Sequence, residues 1–279
     1  MSIEVVAYAK LNLSLRVLGI REDGYHAIVS EVQTIDLADR LTIEVSSDGV
    51  HVENDCEVDG VDLVEVAART LFRRKRCDGG ARIRIDKGIP IGAGLGGGSS
   101  DAAAVLDALD RLTPPALPFD ALCEVAARVG SDVPLFLQGG RIRMTGRGEH
   151  VKRLPASPTE SYVVLVPPVR CATGAIYARW DELAAAEDGP RTGAPQRGEN
   201  DLLEPALNVH PELVPYHEAM RSVDVEYRGM SGSGSSFFAA CDDRATALQA
   251  QEILKRCFEA AEVFVCCPTD VGHCALEVA

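Results

Sequence analysis

The segment Pro90-Ile91-Gly92-Ala93-Gly94-Leu95-Gly96-Gly97-Gly98-Ser99-Ser100 places five glycines within seven residues, directly before an apolar-patterned helix. Glycine has no side chain to keep a ligand away from the backbone, so its N–H groups can turn inward. The N-terminus of the following helix carries about half a positive charge. Together these features predict a phosphate cradle, which we call the glycine loop. The alternative is a flexible surface loop.

Two well-known phosphate cradles fit this segment poorly. The segment lacks Gly-Lys-Ser/Thr, so it is not a P-loop. The spacing Gly92-x-Gly94-x-x-Gly97 satisfies the dinucleotide fingerprint. However, the preceding strand alternates charged residues with isoleucines over 82–86, and a following strand that ends in an acidic residue is missing. A dinucleotide-dependent oxidoreductase is therefore disfavoured.

Helices and strands are mixed along the chain without a regular βαβ repeat. Apolar periodicity predicts strands at 3–17, 41–45, 83–85, 162–166, 237–241 and 263–267, and helices at 62–75, 99–112, 119–129 and 244–258. This mixture is typical of an α+β fold. We predict a lobe boundary near residues 150–160, which divides the chain into 1–156 and 157–279.

The first predicted strand carries two polar residues on one face. Lys10 and Asn12 alternate with Leu11 and Leu13, so period two turns the leucines toward the core. Lys10 is then either a solvated surface lysine or a functional group at the end of a polar face.

Composition limits the classes of function. The 279 residues include 28 Lys and Arg against 42 Asp and Glu, a formal charge of −14, so we expect no nucleic-acid partner. No apolar run approaches the roughly 20 residues of a membrane span, and the first ten residues do not resemble a signal peptide, so we expect a cytoplasmic protein. We expect a monomer or a weak homodimer. The nine cysteines predict reduced thiols, and Cys267, His273 and Cys274 lack the second ligand pair of a zinc site.

The glycine loop resembles the phosphate-binding motif of the GHMP small-molecule kinases. Four more segments occur in the same order and with similar spacing as in the branch of this family that acts on 4-diphosphocytidyl-2-C-methyl-D-erythritol: Ala9–Leu13, Asp23–His26, Gly130–Pro134 and Met230–Gly234. The resemblance implies a two-lobed α+β fold, with a ribosomal-S5-like N-terminal lobe and a ferredoxin-like C-terminal lobe. The active site would lie in the cleft between them.

The same resemblance implies which residues act on phosphate. Asp132 would accept or orient the proton of the acceptor hydroxyl, and Lys10 would keep Asp132 ionised while countering charge on the transferred group. The alternative for Asp132 is a helix cap. ATP would be the co-substrate, bound by Pro90, Ile91, Gly92, Ala93, Gly94, Leu95, Gly96, Gly97, Gly98, Ser99 and Ser100. Mg²⁺ is expected with ATP, with no assigned ligand, although the Ser100 hydroxyl is a candidate.

The resemblance also implies a pocket for a cytidine-diphosphate-linked substrate. Tyr25, His26 and Tyr177 would surround the base, and Asn12 with Asn200 would make polar contacts. Tyr25 could instead be a core aromatic.

Four further segments carry expectations of their own. Residues 231–236 form a second Gly/Ser loop, which either closes over the phosphates or serves only as a hairpin turn. Asp62 stands where the family usually has Asn, near the adenine pocket. We predict a mobile surface loop at 187–199, and the pattern of 266–279 has no explanation in the sequence.

The function implied is ATP-dependent phosphorylation of the substrate's 2-hydroxyl, in the non-mevalonate route to isoprenoid precursors. Two alternatives stay open. One is a homoserine- or mevalonate-type kinase, against which Tyr25-His26 argues because those substrates contain no base. The other is a non-catalytic nucleotide-binding regulator, against which the presence of both Lys10 and Asp132 argues.

Overall fold

Two long antiparallel strands form the centre of the first sheet. The computed structural model describes residues 2–55, 62–156, 161–185, 193–223 and 225–276. Strand β1 (Ser2–Ile20) pairs with β2 (His26–Ser46), and the order continues as β11-β1-β2-β4-β3, with β5 and then β6 attached beside the first half of β2. The smaller strands are β3 (Val50–Asn54), β4 (Gly80–Asp86), β5 (Arg141–Gly146), β6 (His150–Arg153) and β11 (His273–Leu276).

Four helices share one hydrophobic core with this sheet. They are α1 (Leu63–Lys75), α2 (Gly97–Leu112), α3 (Phe119–Val129) and α4 (Val133–Gln138). The prediction of α1 is confirmed, and its N-cap is Asp62, whose carboxylate accepts hydrogen bonds from the N–H groups of Val64 and Glu65. Helix α2 begins two residues before its predicted start at Ser99.

The second sheet has the ferredoxin-like order that the resemblance implies. Its strands β7 (Ser161–Val166), β8 (Tyr227–Met230), β9 (Phe237–Cys241) and β10 (Glu262–Cys266) are arranged β10-β7-β9-β8, all antiparallel. The helices of this lobe are α5 (Thr173–Ala184), α6 (Leu203–Val209), α7 (Val214–Arg221) and α8 (Arg244–Cys257), with a 3₁₀ turn at Pro211–Leu213. The β-α-β-β-α-β sequence of this lobe confirms the α+β prediction.

Strand β1 belongs to both lobes. Leu11 and Leu13 pack with Tyr162 and Phe238 of the second sheet, in a separate core cluster. The opposite side of the strand carries Lys10, so the predicted alternation is confirmed. The surface-lysine interpretation is wrong, because Lys10 is only 4% exposed.

The C-terminal segment returns to the first sheet. Strand β11 pairs with the beginning of β1, and a Cβ added at Gly139 would lie 1.9 Å from the backbone nitrogen of Gly272. The ring nitrogens of His273 lie 3.1 Å from the Phe136 carbonyl and 3.1 Å from the Asp107 carboxylate. This contact accounts for a segment whose pattern had no explanation in the sequence.

Two other expectations lie partly outside the described residues. The predicted lobe boundary near 156 stays a prediction, because residues 157–160 are not described. No helix in the described part of the chain is long and apolar enough to cross a bilayer.

Candidate active site

A cavity of about 940 Å³ opens between the lobes and brings together most of the predicted site residues. Its walls include Lys10, Asn12, Tyr25, His26, Asp132, Tyr177 and the glycine loop from Pro90 to Ser99. Ser100 is not among the lining residues. Its hydroxyl donates a 2.7 Å hydrogen bond to the Tyr8 carbonyl and is buried against β1, because the helix has already begun at Gly97. The hydroxyl is therefore not placed to serve as a metal ligand.

The glycine loop needs glycine for two physical reasons. Gly92, Gly94 and Gly96 have φ of +69°, +76° and +77°, in the left-handed region that side chains disfavour. A Cβ at Gly94 would also lie 2.2 Å from the carbonyl oxygen of Ser231 in the second lobe. The 231–236 segment is thus both a hairpin turn between β8 and β9 and a direct support for the glycine loop.

The Lys10 ammonium lies at the meeting point of β1 and the glycine loop. Its Nζ donates to the Gly94 carbonyl at 2.6 Å and to Asn12 Oδ1 at 2.5 Å. Asn12 is itself fixed, since its Nδ2 donates to Ser30 Oγ at 2.8 Å. Burial lowers the pKa of Lys10, and the negative charge of Asp132 opposes that effect.

Asp132 is available to a ligand. It occupies the N-cap position of α4, but its φ and ψ of −87° and −9° are helical and its side chain makes no capping hydrogen bond, so the helix-cap interpretation is wrong. A Cβ at Gly148 would lie 3.4 Å from Asp132 Oδ1, which places the carboxylate beside the β5–β6 turn. Within the described ranges, the Asp132 carboxylate has no hydrogen-bond or ion-pair partner.

A buried charge cluster that the sequence analysis missed supports the start of the glycine loop. Lys87 Nζ lies 2.5 Å from Asp39 Oδ2 and 2.9 Å from Asp101 Oδ2. The other oxygen of Asp39 accepts hydrogen bonds from the N–H groups of Gly88 and Ile89. Burial raises the pKa of Asp101 to about 8, although the Lys87 charge opposes the shift. Lys87 and Asp101 flank the glycine loop in sequence, which was the available signal.

The aromatic residues form a second part of the cavity wall. The rings of His26 and Tyr177 are 4.5 Å apart, and burial together with the Asp132 charge raises the pKa of the Tyr177 hydroxyl. Tyr25 is 52% exposed, so it is not a core aromatic. The Arg147 guanidinium lies 4.9 Å from the centre of the Tyr25 ring. Arg147 also lines the cavity, and the sequence analysis did not identify it.

Asn200, an expected polar contact in the substrate pocket, is not among the cavity-lining residues. Asn200 Nδ2 donates to the carbonyls of Met230 and Gly232 at 2.7 and 2.8 Å, so it holds the Gly/Ser loop. The predicted mobile loop at 187–199 lies outside the described residues as far as 192. Its remainder is attached to β1, because Gly198 N–H donates to the Leu13 carbonyl at 2.7 Å.

Across the described ranges, no three His, Cys, Asp or Glu side chains cluster as a metal site.

Comparisons with known proteins agree with this arrangement. The GHMP kinases N terminal domain matches residues 62–140, and the GHMP kinases C terminal domain matches residues 183–260. The chain is 37% identical to 4-diphosphocytidyl-2-C-methyl-D-erythritol kinase of Enterococcus faecalis, over 89% of this chain and 93% of that protein.

Solved structures give the same result. A crystal structure of 4-(cytidine 5'-diphospho)-2C-methyl-D-erythritol kinase is 34% identical, with a TM-score of 0.74, over 95% of this chain and 99% of that one. Homoserine kinase of Cytophaga hutchinsonii has a TM-score of 0.75 at 18% identity, over 99% of this chain and 97% of that one, so it shares the fold. The chain therefore belongs to the GHMP kinases, and within them to the family of 4-diphosphocytidyl-2-C-methyl-D-erythritol kinases.

Proposed function

We propose that this chain transfers the γ-phosphoryl group of ATP to the 2-hydroxyl of 4-diphosphocytidyl-2-C-methyl-D-erythritol, a step of the non-mevalonate route to isoprenoid precursors. The observation that carries the proposal is a single cavity that joins the glycine loop, the Lys10 and Asp132 side chains and the His26–Tyr177 pair. A phosphate cradle and a platform for a base are both needed when the donor is ATP and the acceptor carries cytidine.

Phosphoryl transfer depends on positioning and on charge neutralisation more than on covalent chemistry by the protein. The Lys10 ammonium is held by Gly94 and Asn12, so its charge has a fixed place beside the glycine loop. Fixed charges act strongly in a site from which water is excluded. Lys10 would counter charge on the transferred phosphoryl group and would keep Asp132 ionised.

Asp132 would act on the acceptor hydroxyl. Its carboxylate lines the cavity without a protein hydrogen-bond partner in the described part of the chain, so both oxygens can accept the hydroxyl proton or orient it. In protein kinases an aspartate of the catalytic loop has this role and accepts the proton of the substrate hydroxyl.

Magnesium would accompany ATP. The protein usually supplies one or two carboxylates to Mg²⁺, and the phosphates supply the rest. Asp132 fits that requirement, since its carboxylate lines the cavity and has no hydrogen-bond or ion-pair partner in the described residues. The ion would neutralise phosphate charge.

Near the expected adenine pocket, Asp62 stands where the family usually has Asn. Asn and Asp are equivalent N-caps, and the Asp62 carboxylate is engaged by the first turn of α1 and by Asn54 Nδ2 at 3.4 Å. The exchange therefore preserves the helix start beside the cavity. We propose that the adenine is bound by the apolar and backbone groups of this wall.

The test is ADP release with Mg-ATP and four acceptors: the cytidylylated substrate, free methylerythritol, homoserine and mevalonate. Turnover with the cytidylylated compound alone is the expected result. Turnover with another acceptor would replace the substrate but keep the kinase. ATP binding without turnover of any acceptor would favour a nucleotide-binding regulator. Asp132→Asn supplies the control: it should still bind ATP in the absence of Mg²⁺ and lose turnover by about 10²-fold or more.

A further inference from the structure

Three residues on one face of α5 enclose the His26 ring. Tyr177, Trp180 and Asp181 follow the three-and-four spacing that places side chains on the same side of a helix. The His26 ring centre lies 4.5 Å from Tyr177 and 5.6 Å from Trp180, which meets it edge-on. Asp181 Oδ1 lies 2.7 Å from His26 Nε2. His26 begins β2 in the first lobe, so this contact joins the two lobes across the cavity.

The hydrogen bond with Asp181 determines which nitrogen of the His26 imidazole carries a hydrogen. A carboxylate oxygen can only accept, so Nε2 carries the hydrogen and donates it to Asp181. The bond also fixes the rotation of the ring. Tyr177 and Trp180 touch His26 only through ring contacts, which impose no hydrogen-bond direction, so the bond to Asp181 is the directional contact. No other protein partner of the Asp181 carboxylate occurs in the described part of the chain, and Asp181 lines the cavity.

We propose that Asp181 is a positioning residue for the nucleobase end of the substrate. It acts through His26, holding that residue and the adjoining Tyr177 ring in the geometry that receives a pyrimidine nucleotide. The proposal rests on the proposed function, since it assumes that the base of the acceptor substrate binds here. In the described residues, Asp181 makes no hydrogen bond or ion pair with Lys10, Asp132 or the glycine loop, so it contributes to substrate binding and not to the chemical step.

The test compares Asp181→Ala with Asp181→Asn and with Glu182→Ala. Glu182 is the matched control, because it is the next residue of α5 and pairs with Arg179 at the surface. Cytidine 5'-diphosphate binding is measured by calorimetry with the ATP site filled by a non-hydrolysable ATP analogue, and steady-state kinetics are measured with the full substrate. Asp181→Ala should raise the Kd and the substrate KM about tenfold, the typical effect of losing a charge-assisted hydrogen bond. The kcat and the KM for ATP should stay unchanged.

The variants separate positioning from general structure. Asp181→Asn keeps an oxygen acceptor for Nε2, so it should bind more tightly than Asp181→Ala. In a His26→Ala background, Asp181→Ala should add nothing, because its effect passes through His26. Wild-type affinity in Asp181→Ala, or an equal loss of ATP-analogue binding, would overturn the proposal. If the wild-type protein binds cytidine diphosphate but does not turn over the substrate, the proposed reaction is refuted. The role of Asp181 is still tested in that case, because the comparison of cytidine diphosphate affinities does not require turnover.

Discussion

Replacing Lys10 by Met should separate catalysis from stability. Methionine keeps the length of the side chain and removes the ammonium, which is buried without an ion-pair partner in the described residues. The Gly94 carbonyl would keep a donor, because Ser231 Oγ also donates to it at 2.8 Å. Asn12 Oδ1 would lose the Lys10 hydrogen bond.

The expected stability change is small because two effects oppose each other. An unsatisfied buried acceptor costs about 1–3 kcal/mol. Removing a buried cation recovers part of its desolvation cost, which the lowered pKa of Lys10 reveals. We expect the free energy of unfolding to change by less than about 2 kcal/mol, while kcat falls about 10²–10³-fold, as for other groups that stabilise transition-state charge.

Lys75→Met is the control for this prediction. Lys75 Nζ lies 2.7 Å from Asp110 Oδ1, and both side chains are almost fully buried. Neither residue lines the cavity. Removing one member of a buried pair leaves an uncompensated charge and costs about 3–5 kcal/mol. Lys75→Met should therefore lower the Tm strongly and leave kcat per folded molecule unchanged. The assay measures ADP release and thermal unfolding on the same samples. If the two variants show the same pattern, with activity following the folded fraction, Lys10 has no catalytic role.

Three further predictions use other parts of the site. On the alkaline side of its pH profile, kcat should fall at a pH below about 10.4, the pKa of an ordinary lysine. Burial lowers the pKa of Lys10, and activity is lost as the pH rises through that pKa. Lys10→Arg should abolish this alkaline fall, and an unchanged fall would exclude Lys10 as its source. Gly94→Ala should lower the ligand-free Tm, because its Cβ would meet the Ser231 carbonyl at 2.2 Å. Gly98→Ala, with only a 3.9 Å contact, should not lower it. Tyr25→Ala should raise the KM for the cytidylylated substrate about tenfold or more without changing the Tm, since the ring is half exposed; a parallel rise in the KM for ATP would contradict its assignment to the base.

Local patterns predicted the parts of the site that depend on local geometry. The alternation along β1 placed Lys10 and Asn12 on one face, and the glycine loop indicated both the cradle and the start of a helix. The sequence did not reveal that β11 returns to β1, because a four-residue strand without alternation carries almost no signal and its partner is more than 260 residues away. The Lys87 cluster was missed for a related reason. Asp39 joins it from β2, and only the fold brings that residue close.

Three of the segments that carry the family resemblance meet at the Gly94 carbonyl. It accepts hydrogen bonds from Lys10 Nζ and from Ser231 Oγ, so the first strand, the glycine loop and the second lobe converge on one atom. The protein carries a net charge of −14 and its ligands are anions, so the cavity must create its own positive potential. Lys87 cannot supply much of it, since two carboxylates face its ammonium. The positive potential therefore comes from the Arg147 guanidinium, the N–H groups at the start of α2 and the Lys10 ammonium, and the Gly94 carbonyl holds that ammonium in place.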